Sequence, residues 1–225
     1  LPIWRSLEVE DVRFNEQNEA ELAETAEAIL GLPVAEVTAI PEFGEGAEPD
    51  PGSVAWHYWH HAACRRIEAY NAGLKALMDG DEYENLRAVN HYRELLGILP
   101  MEADARLLQA ARRHSKEMAD LDYFGHESPK ADHKTPSMRT KQAGYTAGAG
   151  ENCADGYSSG ERAFWGWFDS PGHHKNMAAE GHTALGVGKW GRKWTQNFGR
   201  GKRLMLLDED ARRQVAVKGA LLPPQ

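Results

Sequence analysis

The stretch SPGHHKNM (170–177) places two imidazoles side by side, directly after Ser-Pro-Gly. An imidazole can ligate a metal ion or transfer a proton near neutral pH. Neighbouring residues on a helix point about 100° apart, so His173 and His174 cannot both face one site. Three further stretches stand out for their polar side chains: YFGHESP (123–129), GEN (150–152) and WTQNFG (194–199). The possible chemistry depends on which of these segments the fold brings together.

Other histidines and serines carry weaker signals. In HYWHHAAC, His57 and His61 lie four residues apart, a spacing that can bind metal on a helix, but the intervening aromatic residues favour a packing face. His114 lies on an apolar helical face, which predicts a core histidine that donates to a buried acceptor. Neither Ser128 nor Ser170 lies in a G-x-S-x-G elbow, which argues against a serine hydrolase.

The elements that must position these residues are mostly helices with a few late strands, which indicates an α+β fold. Two late segments, ALGVGKWG and KWTQNFG, alternate small or apolar with polar residues around a turn and predict an antiparallel hairpin. Asp81 is the expected N-cap of one helix. Helices are expected over 15–32, about 54–78, 83–96, within 97–124, 134–145 and 158–170. The expected buried positions are Leu86, Val89, Tyr92 and Leu96, then Leu107, Ala111, His114, Met118 and Leu121.

Read with the helical segment that precedes them (87–119), the four polar stretches resemble the CAP superfamily in its bacterial SCP-like branch. The motifs occur in the family's order. The resemblance implies a three-layer α-β-α sandwich with a central antiparallel sheet and a cleft. We therefore expect a mostly helical, acidic extension over 1–84 that contains a linker at 33–53, a CAP domain over 85–200 and a tail over 201–225.

The resemblance also implies which side chains line the cleft. The matching histidines are His126 of FGHESP and His173, which lies a fixed distance before the GVG strand. The matching carboxylate is Glu151 of GEN. His174 should then point elsewhere.

Ser170 and Asp169 mark a departure from part of the family. Eukaryotic members have a second glutamate at the position of Ser170, whereas bacterial members commonly read Ser-Pro-Gly-His, as this chain does. Asp169 is adjacent but one position out of register, so both are expected only to line the cleft. Ser170-Pro171 is typical of an N-cap followed by proline, which puts His173 in a first helical turn, where the helix dipole disfavours an imidazolium.

Two neutral imidazoles and a carboxylate, with a fourth position left to water, suit an open Zn²⁺ site. We expect His126 and His173 to be metal ligands, with Glu151 as the candidate catalytic base. Without metal, Glu151 would orient one imidazole and raise its pKa. His182 is a candidate for a third nitrogen near the site.

The amino-acid composition and the distribution of charge limit the classes of partner that this chain can bind. Hydrophobic residues make up 41% and charged residues 27%, as in ordinary globular domains. Residues 1–60 hold thirteen acidic residues against two arginines, a balance of −11, and the remainder holds twenty-one against twenty-four, or +3. This distribution argues against nucleic-acid binding, which needs a concentrated basic surface. No run of about 20 apolar residues is present to span a bilayer.

Three functions are compatible with the sequence. The first is a secreted, periplasmic or envelope CAP-domain protein whose cleft binds a divalent metal or small ligand, with an envelope component as a possible partner. The second is a metal-dependent hydrolase of peptide, ester or cell-wall bonds, with Glu151 as general base. The third is a lipid or sterol carrier whose groove is walled by Phe164, Trp165, Trp167 and Phe168. The oligomeric state and a Cys64–Cys153 bond are left open.

Overall fold

The computed structural model describes residues 48–204, and the chain divides into two compact units at the boundary between His61 and Ala62. The first described helix crosses this boundary, and the sheet, the remaining helices and the site lie in the second unit. The helix predicted over 15–32, most of the linker at 33–53 and most of the tail at 201–225 lie outside the described residues. None of the described helices is both long and apolar enough to cross a membrane.

The described residues form six α-helices and four strands. Two short 3₁₀ helices lie between them, at Lys75–Leu77 and Ala131–His133. The helices are α1 (Val54–Gly73), α2 (Gly80–Leu95), α3 (Ala105–Asp120), α4 (Pro136–Gln142), α5 (Gly160–Phe168) and α6 (Pro171–Ala178). The strands are β1 (Glu102–Ala103), β2 (Gly148–Asp155), β3 (Ala184–Trp190) and β4 (Lys193–Gly199).

The four strands form one sheet in the order β1-β3-β4-β2. The predicted hairpin is confirmed as β3 and β4, and β2 pairs with β4, both antiparallel. The two-residue β1 pairs with β3 in parallel, so the expected antiparallel sheet gains one short parallel strand. α3 covers one face of the sheet, and α2 and α5 cover the other. The predicted α+β, three-layer architecture is confirmed.

Two glycines of β3 bring α3 unusually close to the sheet. A Cβ at Gly186 would lie 2.1 Å from the carbonyl carbon of Leu107, and one at Gly188 would lie 2.2 Å from the backbone nitrogen of Arg112. The intervening Leu185 and Val187 are buried in the core on the other face. This alternation, with period two, follows from strand geometry.

Helix α2 begins earlier than the sequence indicated. Asp79, not Asp81, is its N-cap: the Asp79 side chain accepts from the Glu82 backbone nitrogen at 2.7 Å, and the Glu82 side chain accepts from the Asp79 nitrogen at 3.0 Å. These two bonds form a reciprocal capping box, in which Glu82 is the residue three positions after the cap. Asp81 instead pairs with Lys189.

The predicted apolar faces are confirmed except at their ends, with Tyr92 only partly buried against the core. Leu86, Val89, Leu107, Ala111 and Met118 are buried. Leu96 and Leu121 are 48% and 44% exposed, contrary to prediction. Each is the C-cap of its helix, so it lies beyond the last turn that packs on the sheet.

The partly buried carboxyl of Glu94 makes stability depend on pH. Burial and the neighbouring Glu68 carboxylate raise the pKa of Glu94 to about 7, and Glu94 Oε1 is buried without a hydrogen-bond partner. Because the folded-state pKa is raised, the contribution of this carboxyl is fully present below its unfolded pKa and is lost as the pH rises through about 7.

We therefore expect Glu94→Gln to raise the free energy of unfolding relative to the parent at pH 8.5 by about 1 kcal/mol, with a smaller gain at pH 5. Urea unfolding at the two pH values measures this. The exposed Glu180→Gln serves as the matched control. An equal difference at both pH values would contradict the explanation.

Candidate functional site

Glu151 lies on β2, the edge strand next to β4. Its side chain points towards α3, whereas the side chain of the adjacent Asn152 points towards α6, where it donates to the His173 carbonyl oxygen at 3.1 Å. Asn176 of α6 donates to Asn152 Oδ1 at 2.9 Å. These bonds hold α6, with its histidines, against the strand that carries Glu151.

The Glu151 carboxylate is surrounded by donors although its side chain is only 1% exposed. Arg139 Nη2 donates to both oxygens, at 2.9 and 2.8 Å, and His126 Nδ1 lies 3.0 Å from Oε1. In the orientation that gives both ends of its amide a partner, Asn197 donates to Oε2 at 3.1 Å. Burial alone would raise the pKa of Glu151, but the His126 hydrogen bond and the Arg139 charge hold it below its usual value.

His126 is the exposed member of the predicted trio, with half of its side chain open to solvent. Since a carboxylate can only accept, Nδ1–H of His126 donates to Glu151, which leaves Nε2 available to a ligand. That hydrogen bond raises the pKa of His126, against the opposing effect of partial burial. The carboxylate thus orients the ring, as the sequence predicted for a site without metal.

His173 is half-buried in the first turn of α6. Burial lowers its pKa, and the positive charge of His126 lowers it further. The two imidazoles therefore lie within electrostatic reach of each other, and neither is sealed from solvent. Both effects favour the neutral form of His173.

His174 points in another direction, as predicted. Its Nε2 lies 2.6 Å from the Tyr92 hydroxyl of α2, and its Nδ1 lies 3.0 Å from the Phe168 carbonyl oxygen. The ring stacks on the Phe168 ring at 4.6 Å between centroids. His174 therefore joins α6 to the helical layer.

Ser170 and Asp169 lie between α5 and α6, just before the helix that carries His173. Ser170 is the N-cap of α6 and is followed by Pro171, as predicted, but its side chain makes no capping hydrogen bond. Asp169 is the exposed C-cap of α5. Within residues 48–204, neither side chain hydrogen-bonds to the His126–Glu151 pair, and their place in the cleft stays a prediction.

Three residues near Glu151 were not predicted as part of the site. Arg139 comes from α4, and Cys153 Sγ lies 3.4 Å from Glu151 Oε1. His114 is the predicted core histidine, since its Nε2 donates to the Gly125 carbonyl oxygen at 2.9 Å, but it also lies 3.7 Å from Glu151 Oε1. Cys64 and Cys153 are both free and buried.

His182 lies outside the site. It is buried, its Nδ1 lies 2.9 Å from the Asn176 carbonyl oxygen, and its ring stacks on Phe198. A third imidazole for the His126–His173 pair does not come from this residue.

The buried cluster does not suit a divalent cation, although ligand atoms of His114, Glu151 and Cys153 lie within 4.8 Å of one another. His114 Nε2 already donates to a carbonyl, and both Glu151 oxygens accept from the Arg139 cation. Burial raises the pKa of the Cys153 thiol well above its usual value, and metal needs the thiolate. The exposed Nε2 of His126 and the half-buried imidazole of His173 are the candidate ligands that the sequence predicted.

Two proteins of Bacillus subtilis are similar in sequence to this chain. YkwD of Bacillus subtilis is 34% identical over 135 residues, which are 58% of this chain and 52% of YkwD. The membrane protein YlbC of the same bacterium is 32% identical over 124 residues, 55% of this chain and 36% of YlbC. This chain thus spans about half of YkwD and less of YlbC.

A solved structure supports the same relationship. An extracellular protein with an SCP domain from Bacillus anthracis is 34% identical, with a TM-score of 0.52, and the match covers 54% of this chain and 41% of that one. The model of the cysteine-rich secretory protein family, CAP, matches residues 86–198, which contain every element from the body of α2 to β4 and the His126–Glu151–His173 trio. The chain belongs to the CAP family.

Proposed function

We propose that this chain binds a divalent cation, zinc being the best fit, between His126 Nε2 and the imidazole of His173. The supporting observation is the 3.0 Å bond from His126 Nδ1 to Glu151. Metal-bound histidines commonly donate their second nitrogen to a carboxylate, which fixes the tautomer and the ring orientation. Burial lowers the pKa of His173, which favours the neutral imidazole that a metal ligand must be.

In this proposal Glu151 orients His126 and is neither a ligand nor a base. Both of its oxygens accept from Arg139, and its pKa is lowered. A general base needs access to its proton and a pKa near the working pH, and this carboxylate has neither. We therefore propose binding and do not extend the proposal to hydrolysis.

A lipid groove has less support. Phe164 and Trp167 are buried in the core, and Trp165 and Phe168 pack against that core from its edge. These four rings hold α5 to the sheet and to α2. We propose that the chain acts outside the cytoplasm, as the Bacillus anthracis relative, an extracellular protein, does.

Calorimetric zinc titration of metal-stripped protein tests the cation site. We expect one zinc per chain, with an affinity that falls by about 100-fold in His126→Ala and in His173→Ala, because each removes a ligand. The exposed His91→Ala is the matched control and should bind like the parent. Unchanged affinity in both site variants would exclude the proposed site.

Glu151→Gln separates orientation from ligation. Loss of an orienting carboxylate typically weakens metal binding by about 10- to 100-fold while the stoichiometry is kept. The variant's fold is checked by circular dichroism, since Arg139 loses its ionic partner. An affinity equal to the parent's in folded protein would show that Glu151 has no influence on the cation.

A further inference from the structure

A second concave site lies beside the solvent-facing side of α3. It is a cavity of about 330 Å³ bordered by α3, by the segment around 130–133 and by α4. This volume is within the range of small-ligand sites. The acidic and basic side chains that line it are Arg113, Lys116, Glu117, Asp120, Lys130 and Arg139, together with the imidazole of His133. His126 and His173 are not among the residues that line it.

The acidic groups of this cavity are already engaged. Glu117 accepts from Ser128 and His133 by short hydrogen bonds and from the Tyr123 hydroxyl at 2.9 Å. These bonds hold the pKa of Glu117 below its usual value in spite of partial burial. Asp120 forms an ion pair with Lys116. Both carboxylates are thus already bonded to donors within or beside the cavity.

Two cations of the cavity have no such partner. Within the described part of the chain, Arg113 and Lys130 form no side-chain ion pair or hydrogen bond, although both line the cavity and are exposed. Unpaired cations at a concave surface attract and concentrate anions. The side chains that line the cavity therefore include two positive charges that no neighbouring acid balances.

Arg139 supplies a further, buried donor. Its Nη2 reaches Glu151 and the His126 carbonyl, and its Nη1 donates to the carbonyls of His133 and Lys134, at 3.2 and 3.0 Å. Its Nε–H is buried without any acceptor, in a side chain only 4% exposed. Buried donors nearly always have a partner, and the residue that carries this one lines the cavity.

We propose that this cavity binds the phosphate group of a phosphomonoester, with Arg113 and Lys130 as charged donors and Arg139 Nε–H as the buried donor. These donors come from three separate segments, which suits the several oxygens of a tetrahedral phosphate. Arg139 Nη2 is bonded to Glu151 and Nη1 to two carbonyls, so Arg139 cannot offer a carboxylate two free N–H groups side by side. Arg113 keeps its full fork for bidentate phosphate contact. The proposal does not depend on the cation site.

The test is a titration of the full chain in metal-free buffer with inorganic phosphate and with glycerol 3-phosphate. Binding is measured by calorimetry and by ¹⁵N NMR of arginine Nε–H signals. We expect saturable binding that shifts the Arg139 signal and weakens about tenfold in Arg113→Gln and in Lys130→Gln, since each removes a charge-assisted bond. The exposed Lys202→Gln is the matched control, and His126→Ala should bind phosphate like the parent.

A second arm distinguishes a soluble ester from a lipid headgroup. Vesicles of phosphatidylcholine with phosphatidic acid are compared with vesicles of phosphatidylcholine alone. Vesicle binding that Arg113→Gln and Lys130→Gln abolish, without binding of glycerol 3-phosphate, would support the phosphate site and assign the source to lipid. No binding in either arm, or binding that neither variant changes in folded protein, would overturn the proposal.

Discussion

Replacing Gly186 with alanine is expected to destabilise the fold by about 3–5 kcal/mol, near the upper limit for a single substitution. The new Cβ would lie 2.1 Å from the Leu107 carbonyl carbon and 2.2 Å from the Leu108 nitrogen. Both are backbone atoms within or beside hydrogen-bonded turns of α3, so neither can rotate away. The helix must move off the sheet and lose packing along β3 and β4.

Urea unfolding measures this loss, with Gly80→Ala as the matched control. Nothing lies within 4 Å of a Cβ at Gly80, at the exposed start of α2, so its effect should stay within about 0.5 kcal/mol. Gly188→Ala should resemble Gly186→Ala, because its Cβ would meet the Arg112 backbone. A loss below about 1 kcal/mol for Gly186→Ala would mean that the helix tolerates a wider separation.

Replacing Arg112 with methionine is the second substitution with a large expected effect. We expect it to lower the free energy of unfolding by about 3–5 kcal/mol. Arg112 and Glu82 form an ion pair in which the side chains are 1% and 0% exposed. Arg112 Nε donates to Glu82 Oε1 at 2.8 Å, and Nη2 donates to the Leu77 carbonyl at 2.6 Å. Glu82 Oε1 also accepts from the backbone nitrogen of Lys189 at 3.1 Å. Loss of the arginine leaves a buried carboxylate without its cation.

Chemical unfolding of Arg112→Met measures this loss, and Arg87→Met, at an exposed position, is the matched control. The comparison separates the loss of the ion pair from a general effect of replacing arginine with methionine. The double variant Arg112→Met, Glu82→Gln should recover part of the loss, because it removes the unpaired charge and keeps an acceptor for the α2 cap. Arg112→Met that unfolds like the control, or a double variant no more stable than the single one, would contradict this account.

The helices were predictable because their burial repeats within one segment. Leu107, Ala111, His114 and Met118 recur at steps of three and four and lie buried on α3. Strand β2 was not predicted, since GAGENCAD shows no apolar alternation. The strand is held in the sheet by contacts with residues distant in sequence, such as the hydrogen bond from the Asn152 amide to Gln196 at 2.9 Å. No local pattern contains that information.

The candidate site was partly predictable, for a different reason. His126, Glu151 and His173 were identified by their family motifs. Helix geometry showed that His173 and His174 cannot both face one site, and the resemblance identified His174 as the one that points away. Arg139 had no comparable signal, because an arginine on a short polar helix ordinarily faces water. It is buried only because the fold places Glu151, a fixed carboxylate, beside α4.

The most direct measurement of the central claim is the anomalous diffraction of crystals soaked in zinc, recorded at the zinc absorption edge. We expect one strong peak at about 2.0–2.1 Å from His126 Nε2 and from an imidazole nitrogen of His173, with Glu151 still bonded to His126 Nδ1. A peak inside the His114–Glu151–Cys153 cluster, or no peak touching both His126 and His173 at saturating zinc, would contradict it.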